Sequence, residues 1–332
     1  MSFSGNSNFL NAAAVAVEQR ITNTWRSIWT SAHPFLQILE MQGTNFNKGF
    51  TVQRNAMILG ILGDDQTNPV AGVATGSGEL VAMSYNVTNA LSQAKYYFGH
   101  YRGNYTILES EATTLANGER GNLLEGKKMQ FNDSWLNKAS TDFASTTIDA
   151  SDNSKALGLY YVLSTSNSPG GISQSTDTQW AAQLKTGAGA FDLMLVDDML
   201  DGIAAKSNMN RKGKPDVLLC SYTASNNVWG KFKNSIAPNE RFTHEGFSVK
   251  FGIDNVVYRG ATGVQDPRIG STLNGSIAVL TSSVWYAAMQ KAPKLHPLAK
   301  IPGTDAYEQV GTIWAGLGCN DPALNGLIRD IS

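Results

Sequence analysis

The sequence predicts an α+β fold in which helices and antiparallel strands are unevenly mixed. Three features of the chain point to it: an amphipathic N-terminal arm, two apolar β runs on either side of a glycine-rich stretch, and a long one-faced helix that follows them. The strict strand–helix alternation of a parallel sheet does not occur. With 332 residues the chain is long enough for a sizeable core and for roughly two domains.

The arm spans residues 8–32. Leu10, Ala13, Val17, Ile21, Trp25, Ile28 and Trp29 recur at three- and four-residue steps, with Glu18, Gln19 and Arg26 between them. His33-Pro34 ends the pattern, because the residue before a proline is pushed out of the helical region. An apolar face carrying Trp25 and Trp29 must dock, on its own chain or on a neighbour.

From Phe46 to Tyr105 the signals are β. Phe50-Thr51-Val52 starts a strand and Met57 to Leu62 continues an apolar run. Gly63 to Gly78, with Asp64, Asp65, Val70 and Val73, is nearly bare of large side chains, and Glu79 follows it. A second β run ends with Tyr101, Tyr105 and Ile107 alternating around Gly103. This describes an extended hairpin whose tip is longer than compact domains usually tolerate, so it is either functional or disordered.

After a break at Asn117-Gly118, Leu124, Phe131, Trp135, Ala139 and Phe143 fall on one helical face, with Glu125, Lys127, Asn132 and Lys138 off it. A continuous helix from Arg120 to Ala144 would be about 37 Å long. Gly126 inside it costs about 1 kcal/mol against alanine. Further on, Asp192 is placed to cap a helix with Leu193, Val196, Leu200 and Ile203 on one face. Val217 to Cys220 is a strand, and Thr223 is placed to cap a helix through Val228, Phe232 and Ile236. Phe247, Val249 and Phe251 alternate as a strand, and Ile277 to Leu280 and Ile313 to Leu317 add two more. No repeat of solenoid or propeller period is present.

Composition narrows the function. Lys plus Arg total 26 against 27 Asp plus Glu, a net charge of -1, which excludes both a broadly basic nucleic-acid groove and an acidic tail. Charged residues are only 16% of the chain, well below the usual quarter, and neutral polar residues replace them. Such a surface suits a chain much covered by partners. Cys220 and Cys319 form no CxxC pair and read as buried free thiols of a reducing compartment. Ala12 to Val17 is too short for a signal peptide and no run has the length of a membrane span, so a soluble chain without a visible export signal is expected.

Catalytic patterns are incomplete. Gly121 to Lys127 matches most of a phosphate-binding loop, but Lys128 stands where Ser or Thr must ligate magnesium, and the segment reads as helix. Gly63-Asp64-Asp65 is similar to a polymerase metal turn but has no partner acidic motif upstream. His33, His100, His244 and His296 lack the i, i+4 spacing of a helical zinc site, and no Gly-x-Ser-x-Gly elbow occurs. Asp192, Asp197, Asp198 and Asp201 fit a cap and a polar helix face better than a metal site. No catalytic, cofactor-binding or metal-ligating set is expected.

In this order, the elements resemble those of the major capsid proteins of tailed double-stranded DNA bacteriophages, whose fold is shared with herpesvirus shells and encapsulins. Residues 1–45 resemble the N-arm, 46–105 the extended loop, and 106–148 with 282–312 the peripheral domain and its spine helix. Residues 149–281 with 313–332 resemble the axial domain. Leu157-Gly158-Leu159, then Ser168-Pro169-Gly170-Gly171-Ile172-Ser173 and Trp180, resemble the stretch that opens the axial domain, with Gln174 where members often carry arginine. Gly252-Ile253-Asp254-Asn255-Val256-Val257 is similar to a family strand that Asp254 interrupts. Gly316-Leu317-Gly318-Cys319-Asn320-Asp321-Pro322 through Asn325-Gly326-Leu327-Ile328 is similar to the family's finish.

The resemblance implies a structural, non-enzymatic protein of the virion, assembled in the host cytoplasm as hexamers and pentamers into an icosahedral head. Scaffolding, portal and decoration proteins are the candidate partners, with packaged DNA held without sequence-specific binding and no membrane involved. No cofactor is implied. Trp25, Trp29, Asp64, Asp65, Val70, Val73 and Glu79 are the candidate inter-subunit contacts. Some members cross-link a loop lysine to a neighbour's asparagine with a glutamate's help, but no motif assigns those roles to Lys48, Lys95 or Glu79. Two other readings stay open: an encapsulin-like compartment with an enzyme cargo, and an unrecognised soluble hydrolase.

Overall fold

The computed structural model describes residues 33–42, 51–53, 56–62, 91–110, 119–149, 155–178, 180–207, 213–227, 257–266, 268–269, 273 and 275–331. They begin with a helix that the sequence pattern does not foretell, α1 (Pro34–Gln42). Proline suits a first helical position, where no amide hydrogen is needed and its fixed φ is already helical. His33 supports that first turn: its Nδ1 accepts the Phe35 N–H at 3.2 Å and its carbonyl accepts the Gln37 N–H at 3.3 Å. The proline that bars the residue before it from a helix therefore starts one of its own.

The chain continues through β1 (Thr51–Gln53), β2 (Ala56–Leu62), β3 (Leu91–Tyr97) and β4 (Gly99–Leu108) to the long helix α2 (Glu119–Phe143). A single turn, α3 (Leu159–Val162), is followed by β5 (Gln183–Lys185), α4 (Leu193–Lys206), β6 (Val217–Cys220), β7 (Val257–Tyr258), β8 (Ala261–Gln265) and β9 (Ile277–Leu280). The last strands are β10 (Trp285–Leu295), β11 (Ala299–Lys300), β12 (Ala306–Cys319) and β13 (Gly326–Ile328).

β1, β2 and β3 make an antiparallel three-stranded sheet, with Ala56 opposite Tyr97 and Leu62 opposite Leu91. This is the base of the expected hairpin; its tip lies outside the described residues. The second β run is not one strand, as the sequence suggested, but two. Buried Phe98 separates β3 from β4, which joins a different sheet beside β12. Gly316 of β12 makes room for that junction, since a Cβ there would come within 2.9 Å of the Phe98 ring and 3.1 Å of Met57 Cε.

β12 runs fourteen residues, with β4 along one edge and β10 then β11 along the other. On β4, buried Tyr101, Tyr105 and Ile107 alternate with exposed Arg102, Asn104, Thr106 and Leu108. The buried face receives α2. The Tyr101 ring meets Trp135 edge-on at 5.6 Å, the Tyr105 ring lies 5.9 Å from Phe131, and Gly103 leaves room for the side chains of the helix. A Cβ on Gly103 would lie 2.5 Å from Phe131 Cε2. The α2 helix starts and ends one residue earlier than its periodicity predicts.

The remaining strands form a six-stranded mixed sheet in the order β5-β13-β9-β6-β8-β7. Every residue of β6, β9 and β13 is buried. Helix α4 packs on this sheet through Val196, Met199, Leu200 and Ile203, and Asp192 caps it as expected, its Oδ1 accepting the Met194 N–H. The helix after β6, residues 222–227, is capped by Ser221 and not by Thr223, which lies inside it. Ser221 Oγ accepts the Ala224 N–H at 3.2 Å together with those of Gly275 and Ser276. The expected strand at Phe247 to Phe251 and the helix positions Val228, Phe232 and Ile236 lie outside the described residues.

Candidate functional site

One meeting of ionisable side chains is buried. His33 Nε2 lies 2.8 Å from Asp266 Oδ2, the Tyr160 hydroxyl donates to the same oxygen at 2.5 Å, and the Arg268 N–H donates to Oδ1 at 2.8 Å. The His33 ring stands 4.5 Å from that of Phe143, at the end of α2. Burial alone would raise the Asp266 carboxyl; His33, Tyr160 and the Arg268 amide together outweigh it and hold the group below its ordinary value. Burial and the neighbouring Asp266 charge push the Tyr160 phenol well up.

A histidine, a carboxylate and a phenol in sequence have the makings of acid–base chemistry. Here all three are at most 2% exposed, so a substrate has no approach to them. Their position explains them better: the start of α1, the end of α2 and the end of β8 meet at this point. In the sequence, His33 is marked only as a helix end.

The residues behind the family resemblance also converge on packing. Gly170 and Gly171 take φ of +66° and +84°, in the left-handed region that favours glycine. The turn seats on the hairpin base, where a Cβ on Gly170 would lie 2.7 Å from Ala94 Cβ and 2.9 Å from Tyr96 Cζ. Trp180 Nε1–H donates to the Pro169 carbonyl at 3.2 Å, and buried Gln174 donates through Nε2 to the Val162 carbonyl at 2.8 Å. In the C-terminal motif, fully buried Asn325 accepts the Thr281 N–H at 3.0 Å and the Trp285 Nε1–H at 2.8 Å. It also donates to the Asp321 carbonyl at 3.1 Å, and Tyr96 donates its hydroxyl to the Cys319 carbonyl at 2.7 Å. These motifs are turns that tie the hairpin base, β10 and the six-stranded sheet together.

The aspartates of α4 are an exposed ion-pair network. Arg259, at φ 49° in the turn between β7 and β8, reaches Asp197 at 3.0 Å and Asp201 at 2.7 Å, while Lys185 reaches Asp198 at 3.3 Å. Sequence reasoning found the acidic face but missed Arg259, whose only local signal is the Arg259-Gly260 turn. His100 stacks on Trp314 at 4.4 Å. Cys220 and Cys319 are buried and free, and burial pushes the Cys220 thiol up to about 12. The Gly121 to Lys127 run lies within α2, so it is no phosphate loop.

Among the described residues no three His, Cys, Asp or Glu side chains are grouped to hold a metal ion, and no helix is long and apolar enough to cross a membrane. The candidate contacts Trp25, Trp29, Asp64, Asp65, Val70, Val73 and Glu79, like His244, lie outside the described residues.

No protein-family model and no curated protein sequence matches the chain. Solved structures match it in shape. The capsid subunit of cyanophage A-1(L) is 15% identical, with a TM-score of 0.60 over 88% of this chain and 93% of that one. The capsid of Myoviridae phage XM1 is 13% identical, with a TM-score of 0.54 over 88% and 91%. An encapsulin complex from Synechococcus elongatus PCC 7942 is 10% identical, with a TM-score of 0.51 over 89% and 88%. The α+β shell fold expected from the order of elements is the fold observed.

Proposed function

We propose that this chain is the major capsid subunit of a tailed bacteriophage, assembling as hexamers and pentamers into an icosahedral head around double-stranded DNA. The observation that carries the reading is a fold shared with a phage capsid subunit over 88% of the chain. Residues 1–45 serve as the arm, 46–105 as the extended loop, 106–148 with 282–312 as the peripheral domain, and 149–281 with 313–332 as the axial domain. One chain must fit both five-fold and six-fold rings, which demands an adaptable arm and loop around a rigid body. The cross-tied turns at Gly170 and Asn325 supply that rigidity. A low charge content of 16% suits a surface covered by neighbours, and a net charge of -1 suits a wall that contains DNA without gripping it. We assign the subunit no catalytic residue; its work is assembly, with scaffolding, portal and decoration proteins as partners.

The encapsulin likeness favours one second reading, a compartment with a protein cargo. Particles isolated from the cells that naturally make the chain separate the two. After nuclease treatment, protected double-stranded DNA inside closed shells is the expected result. Shells holding a protein cargo and no DNA would move the chain to the second reading, and a small species with enzymatic turnover would reject both.

A further inference from the structure

The shell reading leaves open what fixes the shape of each subunit, and the junction around Asp266 bears on it. We propose that His33, Asp266 and Arg268 set the angle between the long helix α2 and the six-stranded sheet, and through that angle the curvature of the shell. The inference rests on the shell reading above.

Two links join α2 to the end of β8. The inner one is buried: Phe143, in the last turn of α2, lies 4.5 Å from the His33 ring, and His33 Nε2 is bonded to Asp266 at 2.8 Å. The outer one is exposed: Arg268 Nη2–H donates to Asn137 Oδ1 on α2. Asn137 and Phe143 are separated by about 9 Å along the helix axis at 1.5 Å per residue. A rod held at one point can pivot, whereas a rod held at two separated points has its direction fixed. The two anchors on the sheet side are themselves locked together, because Asp266 Oδ1 accepts the Arg268 N–H at 2.8 Å and Oδ2 takes the Tyr160 hydroxyl. Helix α1, which begins beside His33, carries the link onward to β10, with Phe35 edge-on to Trp285 at 5.6 Å.

The Phe143–His33 ring contact seats the end of the helix by packing. The Arg268–Asn137 and His33–Asp266 hydrogen bonds add fixed lengths and directions to that seat. In a closed shell every copy repeats the same angle, so a small change in it accumulates from subunit to subunit and is read out as particle size.

The test compares shells assembled from full-length chains carrying Arg268→Gln, Tyr160→Phe or His33→Asn. Ile203→Val, in the α4 core away from the junction, serves as a control for general destabilisation. Particle diameters are measured by electron cryomicroscopy, beside the thermal unfolding of the free subunits. The junction variants are expected to give shifted or broadened diameters, with Arg268→Gln, whose exposed side chain leaves the core intact, doing so at little loss of thermal stability. Ile203→Val should lower stability and keep the wild-type diameter. Should His33→Asn fail to fold, the other two variants carry the comparison. Wild-type diameters from Arg268→Gln and Tyr160→Phe, or an equal shift from Ile203→Val, would overturn the inference while leaving the shell reading standing. A wild-type chain that forms no shell would remove both.

Discussion

Asp266 and the two cysteines are side chains whose behaviour follows directly from burial. Removing the carboxylate by Asp266→Ala leaves His33 and Tyr160 without their acceptor inside the core, so it should cost about 3–5 kcal/mol in urea unfolding of the free subunit. The same group predicts a pH dependence. Its folded pKa lies below the unfolded one, so its stabilisation is complete at neutral pH and is lost as the pH falls below about 4. Asp266→Ala should therefore show a shallower loss of stability on acidification than the wild type. For Cys220 and Cys319, both buried with raised pKa, a thiol reagent at mildly alkaline pH should label neither in the native subunit and both after unfolding. The buried thiols were legible in the sequence because cysteines without a CxxC partner are usually buried and free. The His33–Asp266 bond was not, because 233 residues separate its partners and no local spacing marks them.

Elements were legible in proportion to the regularity of their side-chain pattern. The periodicity of α2 gave both its ends to within one residue, and the cap of α4 gave its start. β12 was legible only as Ile313 to Leu317, because Gly311 and Gly318 break its pattern on either side. β10 escaped altogether, since register shifts at Met289/Lys291 and Lys291/Lys294, next to Pro293, destroy its period of two. Two glycines make opposite predictions. Gly126 is exposed on α2, and an alanine Cβ there would meet nothing within 4 Å, so Gly126→Ala should raise subunit stability by about 1 kcal/mol. Gly103→Val should lower it, because its Cβ would be driven into Phe131; thermal unfolding of the two variants checks both signs. For the hairpin, the composition of Gly63 to Gly78 offers little apolar area to bury. Deleting Val70 to Gly76 should leave thermal unfolding of the subunit unchanged while impairing lateral association, as read by the yield of closed particles.

At the scale of the whole molecule, the order of hairpin base, long helix and mixed sheets was legible because it depends on pattern and length more than on particular residues. The same property lets the fold persist against the cyanophage capsid subunit at 15% identity. The candidate contacts rest on apolar and acidic residue types in the arm and loop sequences, a signal that does not name what covers them. What the subunit's architecture does specify is a body with its parts tied at Gly170, Asp266 and Asn325. Electron cryomicroscopy of the purified full-length chain, alone and with its scaffold supplied, tests the shell reading most directly. The account predicts closed icosahedral particles in which this fold is traced in rings of five and of six; a population that remains single chains under every condition would contradict it.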